Sequence, residues 1–458
     1  MLHLGDVRVP VCHGVTRRSF LHAGAAGIGA LSMHAMNALE ASGAVNESKA
    51  KIRNCITIFL VGSPGQVDTW DMKPEAPAEV RGKFKPIDTN VPGIQICEHF
   101  PLMARMMDKV ALIRSLHHKT GATHENGQRW MMTGHDFNAD SMKPHSGSVI
   151  SRVFGNNGML PASVLLPWKI GNTGAGPLHG QTAAYLGSAH EPFYLGSDPS
   201  RSDFKVADLS PPAGQTELRI NTRHNLLKQL DDMQRRAENG PALSRDTAYS
   251  RAFNLITSNE AKQAFDLSQE AETTRDRYGR NTLGQSCLMA RRLVERGCRY
   301  ITINHFDTVF GISCWDMHAD GNNPNIVKGM NMLGRSLDQA VSAFLDDLEQ
   351  RGLSDKVLLV ITGDFGRTPK VNARGGRDHW ANLGTLAFAG GGLNLGQVIG
   401  QSDRTAGNPA TEPVTLPMLF STILHTVFDV PQLRLRTGLP REITKFYEQT
   451  NPIPGLIT

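Results

Sequence analysis

At residues 55–61 the sequence is Cys-Ile-Thr-Ile-Phe-Leu-Val, and Gly62-Ser63-Pro64-Gly65 follows directly. The run is apolar apart from one threonine and is rich in β-branched residues, and the Gly/Pro turn ends it. Strands that are buried on both faces of a parallel sheet have this composition, because helices cover both faces. The stretch therefore predicts a buried strand of a parallel sheet.

Five similar apolar runs predict further strands, at residues 110–113, 163–166, 300–303, 357–361 and 386–389. Apolar residues repeat at helical spacing between 326 and 348, so a helix is expected before the strand at 357–361. A strand, a helix and a second strand in this order form a βαβ crossover. Residues 416–428 have the pattern of a closing helix. The chain is therefore predicted to be an α/β protein, a three-layer α/β/α sandwich with a mostly parallel sheet.

Composition sets the size of the core and excludes some partners. The chain has 458 residues, 40% hydrophobic and 20% charged, which suffices for a large buried core. Lys and Arg exceed Asp and Glu by 48 − 43 = 5, but no basic tract concentrates them, so nucleic-acid binding is not expected. A loop-rich stretch at 167–220 and a charged, helical stretch at 221–297 predict an insertion around 167–297 within one domain at 45–458.

The N-terminal residues have the pattern of an export signal. Thr16-Arg17-Arg18-Ser19-Phe20-Leu21 precedes a weakly apolar, Ala/Gly-rich run at 23–31, and small residues follow at 42–44. This pattern resembles a twin-arginine signal peptide, here residues 1–44, and predicts export by the twin-arginine machinery to the periplasm or cell envelope. The alternative is a short cytoplasmic amphipathic helix. No later run reaches the roughly 20 apolar residues of a membrane span, so no stable span is expected.

Cysteine usage gives little structural constraint. The six cysteines, at 12, 55, 97, 287, 298 and 314, include no CxxC pair. They are too few for a disulfide scaffold and lack the spacing of a structural zinc site. A bridge between Cys287 and Cys298 remains possible.

Aspartates and histidines gather just past the predicted strand ends. They are Asp68 and Asp71 after the first strand, Asp316 and His318 after the strand at 300–303, and Asp364 and His379 after the strand at 357–361. Ligands of open α/β sheets bind beyond the carboxyl ends of the strands. Carboxylate and imidazole groups held there suit a divalent metal ion. Each residue alone could instead be a turn former or a helix cap, but their recurrence at several strand ends favours a metal site.

Several longer motifs resemble one bacterial family. They are residues 59–71 (FLVGSPGQVDTWD), 91–99 (VPGIQICEH), 131–134 (MMTG), 363–369 (GDFGRTP) and 376–380 (GRDHW). Together they resemble the family numbered 1501 among domains of unknown function, over roughly residues 52–456. That family is typically exported by the twin-arginine route and is related to sulfatases within the alkaline phosphatase superfamily. The resemblance implies an alkaline phosphatase-like fold, divalent metal ions and hydrolysis of sulfate or phosphate esters.

The superfamily pattern also implies roles for the residues at the strand ends. Asp68, with Asp71 as the runner-up, matches the aspartate after the first strand. Asp316, His318 and His379 match the first metal site, a three-residue set that suits zinc. Asp364 matches the aspartate of the second site, where Phe365 stands in place of an imidazole ligand. A site of Asp68 and Asp364 is rich in oxygen and suits Ca, Mg or Mn.

The position of the nucleophile falls on a histidine. Sulfatases and alkaline phosphatases place the nucleophile ten residues before a helix-ending glycine, and ten residues before Gly134 is His124. His124 could attack the ester, bind metal, act as a general base or make a structural hydrogen bond. Thr123 is the neighbouring hydroxyl candidate.

The favoured function is an exported, metal-dependent hydrolase of a small or polymeric sulfate or phosphate ester. The alternative is a catalytically silent envelope protein that binds an anionic glycan or partner, and a phosphomutase is a third interpretation. Enzymatic activity is therefore uncertain at this stage. Four basic residues are candidates to bind the ester oxygens: Arg114, Lys119, Arg367 and Arg377.

Overall fold

A computed structural model describes residues 54–119, 121–135, 142–155, 160–174, 179–206 and 255–435, with a few residues between 209 and 226 and between 438 and 457. The predicted signal peptide lies outside the described residues. No helix in the described part of the chain is long and apolar enough to cross a membrane.

The described strands are β1 Asn54–Leu60, β2 Pro86–Asp88, β3 Gln95–Cys97, β4 Val110–Ile113, β5 Leu116–His117, β6 Ser163–Pro167, β7 Phe193–Tyr194, β8 Tyr300–Asn304, β9 Val357–Gly363, β10 Gly366–Arg367, β11 His379–Trp380, β12 Leu386–Gly390, β13 Gln397–Ile399 and β14 Val414–Thr415. Eight of them form one sheet in the order β13-β4-β12-β9-β1-β8-β6-β7. All pairings in this sheet are parallel except those of β12, which is antiparallel to β9 and β4. The prediction of a mostly parallel sheet is confirmed, and β1 lies near the centre of that sheet.

The described α-helices are α1 Ala78–Arg81, α2 Pro101–Ala104, α3 His124–Thr133, α4 Ser146–Phe154, α5 Asn259–Phe265, α6 Glu272–Tyr278, α7 Thr282–Glu295, α8 Ile326–Gln350, α9 Leu416–Val427 and α10 Val430–Arg434. The side chains of Asn281 and Asn325 cap the N-termini of α7 and α8 by accepting backbone N–H groups. The helices expected at 326–348 and 416–428 are thus present as α8 and α9.

Two hydrophobic cores lie on the two faces of the sheet. Successive side chains of a strand point to opposite faces, and on β1 Ile56 and Ile58 join one core while Cys55 and Phe59 join the other. Helices α7 and α8 contribute to the first core, and α3, α4 and α9 contribute to the second. This is the predicted three-layer α/β/α sandwich.

The structure also answers the question of the disulfide. Cys287 and Cys298 are both buried, and no disulfide joins them or any other pair of described cysteines. The bridge that the sequence left possible is therefore not formed.

Strand order determines where the functional residues meet. Strands β8, β1 and β9 are neighbours and run parallel, so their carboxyl ends lie side by side at one edge of the sheet. The loop after β1 begins at Val61, the segment that leads to Asp316 follows β8, and Asp364 directly follows β9.

Candidate metal centre

Four side chains converge at this edge: His124, Asp316, His318 and His379. One ligand atom from each lies within 4.8 Å of those from the others. Asp316 is at the centre, because His124 Nε2 is 3.3 Å from its Oδ2 and the Nε2 atoms of His318 and His379 are 2.9 and 3.5 Å from its Oδ1. The three residues expected at a first metal site therefore lie together, and His124 joins them.

In each of the three imidazole rings, the second nitrogen, Nδ1, contacts an oxygen atom that fixes the orientation of the ring. His124 Nδ1 contacts Asp364 Oδ2 at 2.5 Å, His379 Nδ1 contacts the Ala122 carbonyl at 2.9 Å, and His318 Nδ1 contacts Asp378 Oδ1 at 3.3 Å. An oxygen acceptor at Nδ1 holds a ring proton there and directs Nε2 toward the cluster. Histidine ligands of metal sites are held by carboxylates or carbonyls in this way.

The geometry fits a divalent ion. A tetrahedral zinc ion with bonds of about 2.05 Å has ligand atoms about 3.3 Å apart. The Nε2 atoms of His318 and His379 lie 2.9 and 3.5 Å from Asp316 Oδ1, near this spacing, whereas the 3.3 Å contact of His124 Nε2 is to the other oxygen of the same carboxylate. Within the described part of the chain, the Nε2 atoms of His124 and His379 are buried and have no hydrogen-bond partner apart from their 3.3 and 3.5 Å contacts with the Asp316 carboxylate. An ion would satisfy both atoms.

The charges of the centre are strongly coupled. Burial raises the pKa of Asp316, but the Arg367 guanidinium and the three imidazoles outweigh burial and hold this pKa well below its usual range. Burial lowers the pKa of His124, but the carboxylates of Asp316 and Asp364 outweigh it and raise the pKa to about 9. Burial lowers the pKa of His379, which favours its neutral ring. Any ion at His124 Nε2 must displace a proton, so ion binding weakens in acid.

His124 is the first residue of helix α3, and the packing of this helix positions it at the centre. The helix begins at His124 and ends at Gly134, which adopts the left-handed conformation and donates its N–H to Trp130. Gly127 allows close packing on the end of β9, because a Cβ there would lie 2.5 Å from the Asp364 carbonyl oxygen. Thr123, the residue before the helix, is exposed and makes no capping hydrogen bond with its side chain.

Asp364 contacts the cluster through the ring of His124. Its Oδ2 contacts His124 Nδ1 and accepts the Gly62 N–H at 3.1 Å. Its other carboxylate oxygen is buried without a hydrogen-bond partner. Asp364 therefore lies next to the four-residue group and holds one of its rings.

Asp68 is engaged elsewhere. Arg377 donates from Nε to Asp68 Oδ2 at 2.7 Å and from Nη2 to Asp68 Oδ1 at 3.0 Å, and both side chains are buried. Asp71 is also engaged, since Lys73 donates to its Oδ1 at 2.9 Å. The structure does not bring Asp68 or Asp71 into the four-residue group.

The candidate basic residues have different surroundings. Arg367 is buried and donates to Asp316 Oδ1 at 2.5 Å and to His318 Nε2 at 3.2 Å, within the centre. Arg114 donates to the Trp70 carbonyl at 2.8 Å. Lys119 is exposed.

Other buried histidines have surroundings that favour the neutral ring. Burial lowers the pKa of His118 and of His305 to about 3, and that of His145 to about 4. His305 Nδ1 accepts the Trp315 indole N–H at 2.9 Å, and His145 Nδ1 accepts the Gly147 N–H at 3.1 Å. These contacts distinguish His305 and His145 from the three rings of the centre.

Sequence reasoning did not predict several contacts of the centre. Asn323 donates to Asp316 Oδ2 at 2.9 Å, and the exposed carboxylate of Asp378 holds His318. Asp378 lies within the motif at 376–380, but a motif does not specify which ring a carboxylate contacts. Nothing in the turn around Asn323 signals its role.

These features define an α/β/α protein with an Asp/His cluster, suited to a divalent ion, at the carboxyl edge of a mostly parallel sheet. The chain belongs to the family described as "Protein of unknown function (DUF1501)", whose profile matches residues 52–455. A search of curated proteins finds no significant match.

Solved structures with some similarity include three hydrolases. The PsFucS1 sulfatase from Pseudoalteromonas sp. is 13% identical with a TM-score of 0.34, and the match covers 77% of this chain and 66% of the sulfatase, just under two thirds. The phosphonate monoester hydrolase SpPMH from Silicibacter pomeroyi is 11% identical with a TM-score of 0.35, covering 82% and 73% of the two chains. The alkaline phosphatase from the Antarctic bacterium TAB5 is 14% identical with a TM-score of 0.34, covering 82% and 98%.

Proposed function

We propose that this protein is a metal-dependent hydrolase of sulfate or phosphate esters, with the ion held by His124, Asp316, His318 and His379. The observation that carries the proposal is the convergence of three Nε2 atoms on Asp316, two of them buried and without a hydrogen-bond partner. A buried polar atom without a partner is costly. Such atoms also occur away from the centre, for example on His118, so the support comes from their position: both lie with His318 Nε2 around one buried carboxylate.

The chain's own residues would bind and orient an anionic ester. A divalent ion in such a centre polarises the ester oxygens and offsets the charge that develops during attack. The Arg367 guanidinium adds a fixed positive charge beside the cluster, and the N-terminus of α3 contributes the positive end of its dipole. These charges favour an anionic substrate.

The proposed centre holds one ion. A second, oxygen-rich site would need Asp68 and Asp364, but Asp68 is paired at both oxygens with Arg377 and one oxygen of Asp364 holds His124. With these carboxylates engaged, we assign Asp364 to positioning His124 and Asp68 to a structural ion pair.

His124 is assigned to the ligand set and not to attack on the ester. Its Nδ1 faces Asp364 and its Nε2 faces Asp316, so both ring nitrogens are committed. Thr123 is then the candidate attacking group of this pair, since it is an exposed residue at the start of α3 and its side chain makes no capping hydrogen bond. A water molecule is the other candidate.

Element analysis and ester turnover test the proposal. Purified protein is expected to carry about one divalent ion per chain and to hydrolyse an aryl sulfate or an aryl phosphate. A chelator should stop turnover and the ion should restore it. An ion without turnover of either ester would support the silent, anion-binding alternative, and the absence of any bound ion would refute the centre.

We also propose export by the twin-arginine route, on the pattern at residues 16–31. Replacing Arg17 and Arg18 with lysine is expected to leave the precursor in the cytoplasm, because the route reads the arginine pair. Cell fractionation of both forms is the measurement. Equal export of the lysine variant would contradict the proposal.

A further inference from the structure

Arg367 shares two ligand atoms of the centre. Its Nη2 is 2.5 Å from Asp316 Oδ1 and its Nη1 is 3.2 Å from His318 Nε2. Both acceptors belong to the four-residue group, so the guanidinium contacts atoms that an ion would need.

The guanidinium is fixed in this place by the backbone. It donates to the carbonyl oxygens of Gly62, Ser63 and Arg377, and its side chain is almost fully buried. The backbone of Arg367 is held as well, since Gln66 accepts its N–H and donates to its carbonyl oxygen. The cation cannot leave for solvent without losing all of these contacts.

We propose that Arg367 is a built-in competitor of the metal ion, a proposal that rests on the metal centre proposed above. Without an ion, its charge balances Asp316 and keeps the ligands assembled. With an ion, two positive charges share Asp316 Oδ1 and repel each other at close range. Arg367 therefore weakens ion binding and makes the bound ion exchangeable, and it stabilises the centre when no ion is present.

Arg377 provides a matched control. It is equally buried, donates to the carbonyl oxygens of Thr368, Pro369 and Val80, and pairs with the carboxylate of Asp68. The difference that the experiment uses is that the side chain of Arg367 contacts Asp316 and His318 of the four-residue group, whereas the carboxylate paired with Arg377 lies outside that group.

The experiment compares zinc affinity of the full chain in wild type, Arg367→Met, Arg367→Gln and Arg377→Met, by competition with a chromophoric chelator. Arg367→Met and Arg367→Gln are expected to bind zinc about tenfold more tightly than wild type. Their ion-free forms should melt at lower temperature, and zinc should raise that melting temperature by more than it does in wild type. Arg377→Met should change zinc affinity by less than about threefold.

Zinc affinity that is unchanged or weaker in both Arg367 variants would overturn the proposal. The glutamine variant keeps an amide that can donate to the backbone carbonyls, so the test survives if the methionine variant does not fold. Failure of the underlying centre is a separate result, because wild type would then bind no zinc.

Discussion

The Asp316→Asn variant is expected to lose its divalent ion and to be much less stable than wild type. Asp316 lies within 3.5 Å of the Nε2 atoms of three histidines and also receives the Arg367 guanidinium. Asparagine keeps the shape but removes the negative charge, which leaves a buried guanidinium without its counterion. Removing one partner of a buried ion pair costs about 3–5 kcal/mol. Element analysis and chemical denaturation of both proteins are the measurements.

Asp338→Asn is the control for this prediction. Asp338 is also a buried aspartate, but it accepts the backbone N–H groups of Leu102 and Met103 at the start of α2. Asparagine can still accept one of those hydrogen bonds, so a loss nearer 1 kcal/mol and a full complement of ion are expected. Full ion content in Asp316→Asn would show that other residues hold the ion.

The fold could be predicted from the sequence because its central strands are buried on both faces. The runs at 55–61, 110–113, 163–166, 300–303 and 357–361 are all strands of the central sheet, with ends that differ by no more than two residues. Short strands such as Phe193–Tyr194 and Gln397–Ile399 were not predicted, since two or three half-exposed residues carry no periodic pattern. The sequence also did not predict that β12 is antiparallel to its neighbours, because an apolar run does not indicate parallel or antiparallel pairing.

The candidate site was predicted in part, and the limits have a physical cause. Strand ends and the family pattern pointed to Asp316, His318 and His379, which lie together. The contact between His124 and Asp364 joins residues 240 positions apart, so no local motif specifies it. Asp68 and Arg377, which form an ion pair, are even farther apart in the sequence, by 309 positions. Which carboxylate meets an arginine and which meets a histidine depends on the packing of these loops.

The His124→Ala variant is expected to lose metal and turnover together. The change removes one of three imidazoles from the ligand set and leaves Asp364 buried without the ring that it holds. We expect zinc affinity to fall by about a hundredfold or more, since so few ligands remain. Metal affinity, turnover and melting temperature of the same preparation are the measurements.

Asp364→Asn is the matched comparison for His124→Ala. The asparagine carbonyl can still accept the Nδ1 proton of His124, so the ring keeps its orientation but loses the charge behind it. Loss of such an outer contact lowers metal affinity or activity by about 10- to 100-fold. An Asp364→Asn variant with a larger loss than His124→Ala would contradict the assignment of Asp364 as a positioning residue.

The three possible roles of His124 give different patterns in these measurements. If His124 is the nucleophile, the alanine variant loses turnover and keeps its ion. If it is structural, the variant loses stability and keeps its turnover per folded molecule, and if it is a ligand, the variant loses ion and turnover together.

The pH dependence of stability in the ion-free protein is an independent test of the charge on His124. The folded pKa of His124, about 9, exceeds the ordinary value of 6.5, so its charged form stabilises the fold fully below pH 6.5. That contribution is lost as the pH rises from about 6.5 to about 9. The alanine variant should lack this decline, and an identical decline in both proteins would show that His124 is not charged between Asp316 and Asp364.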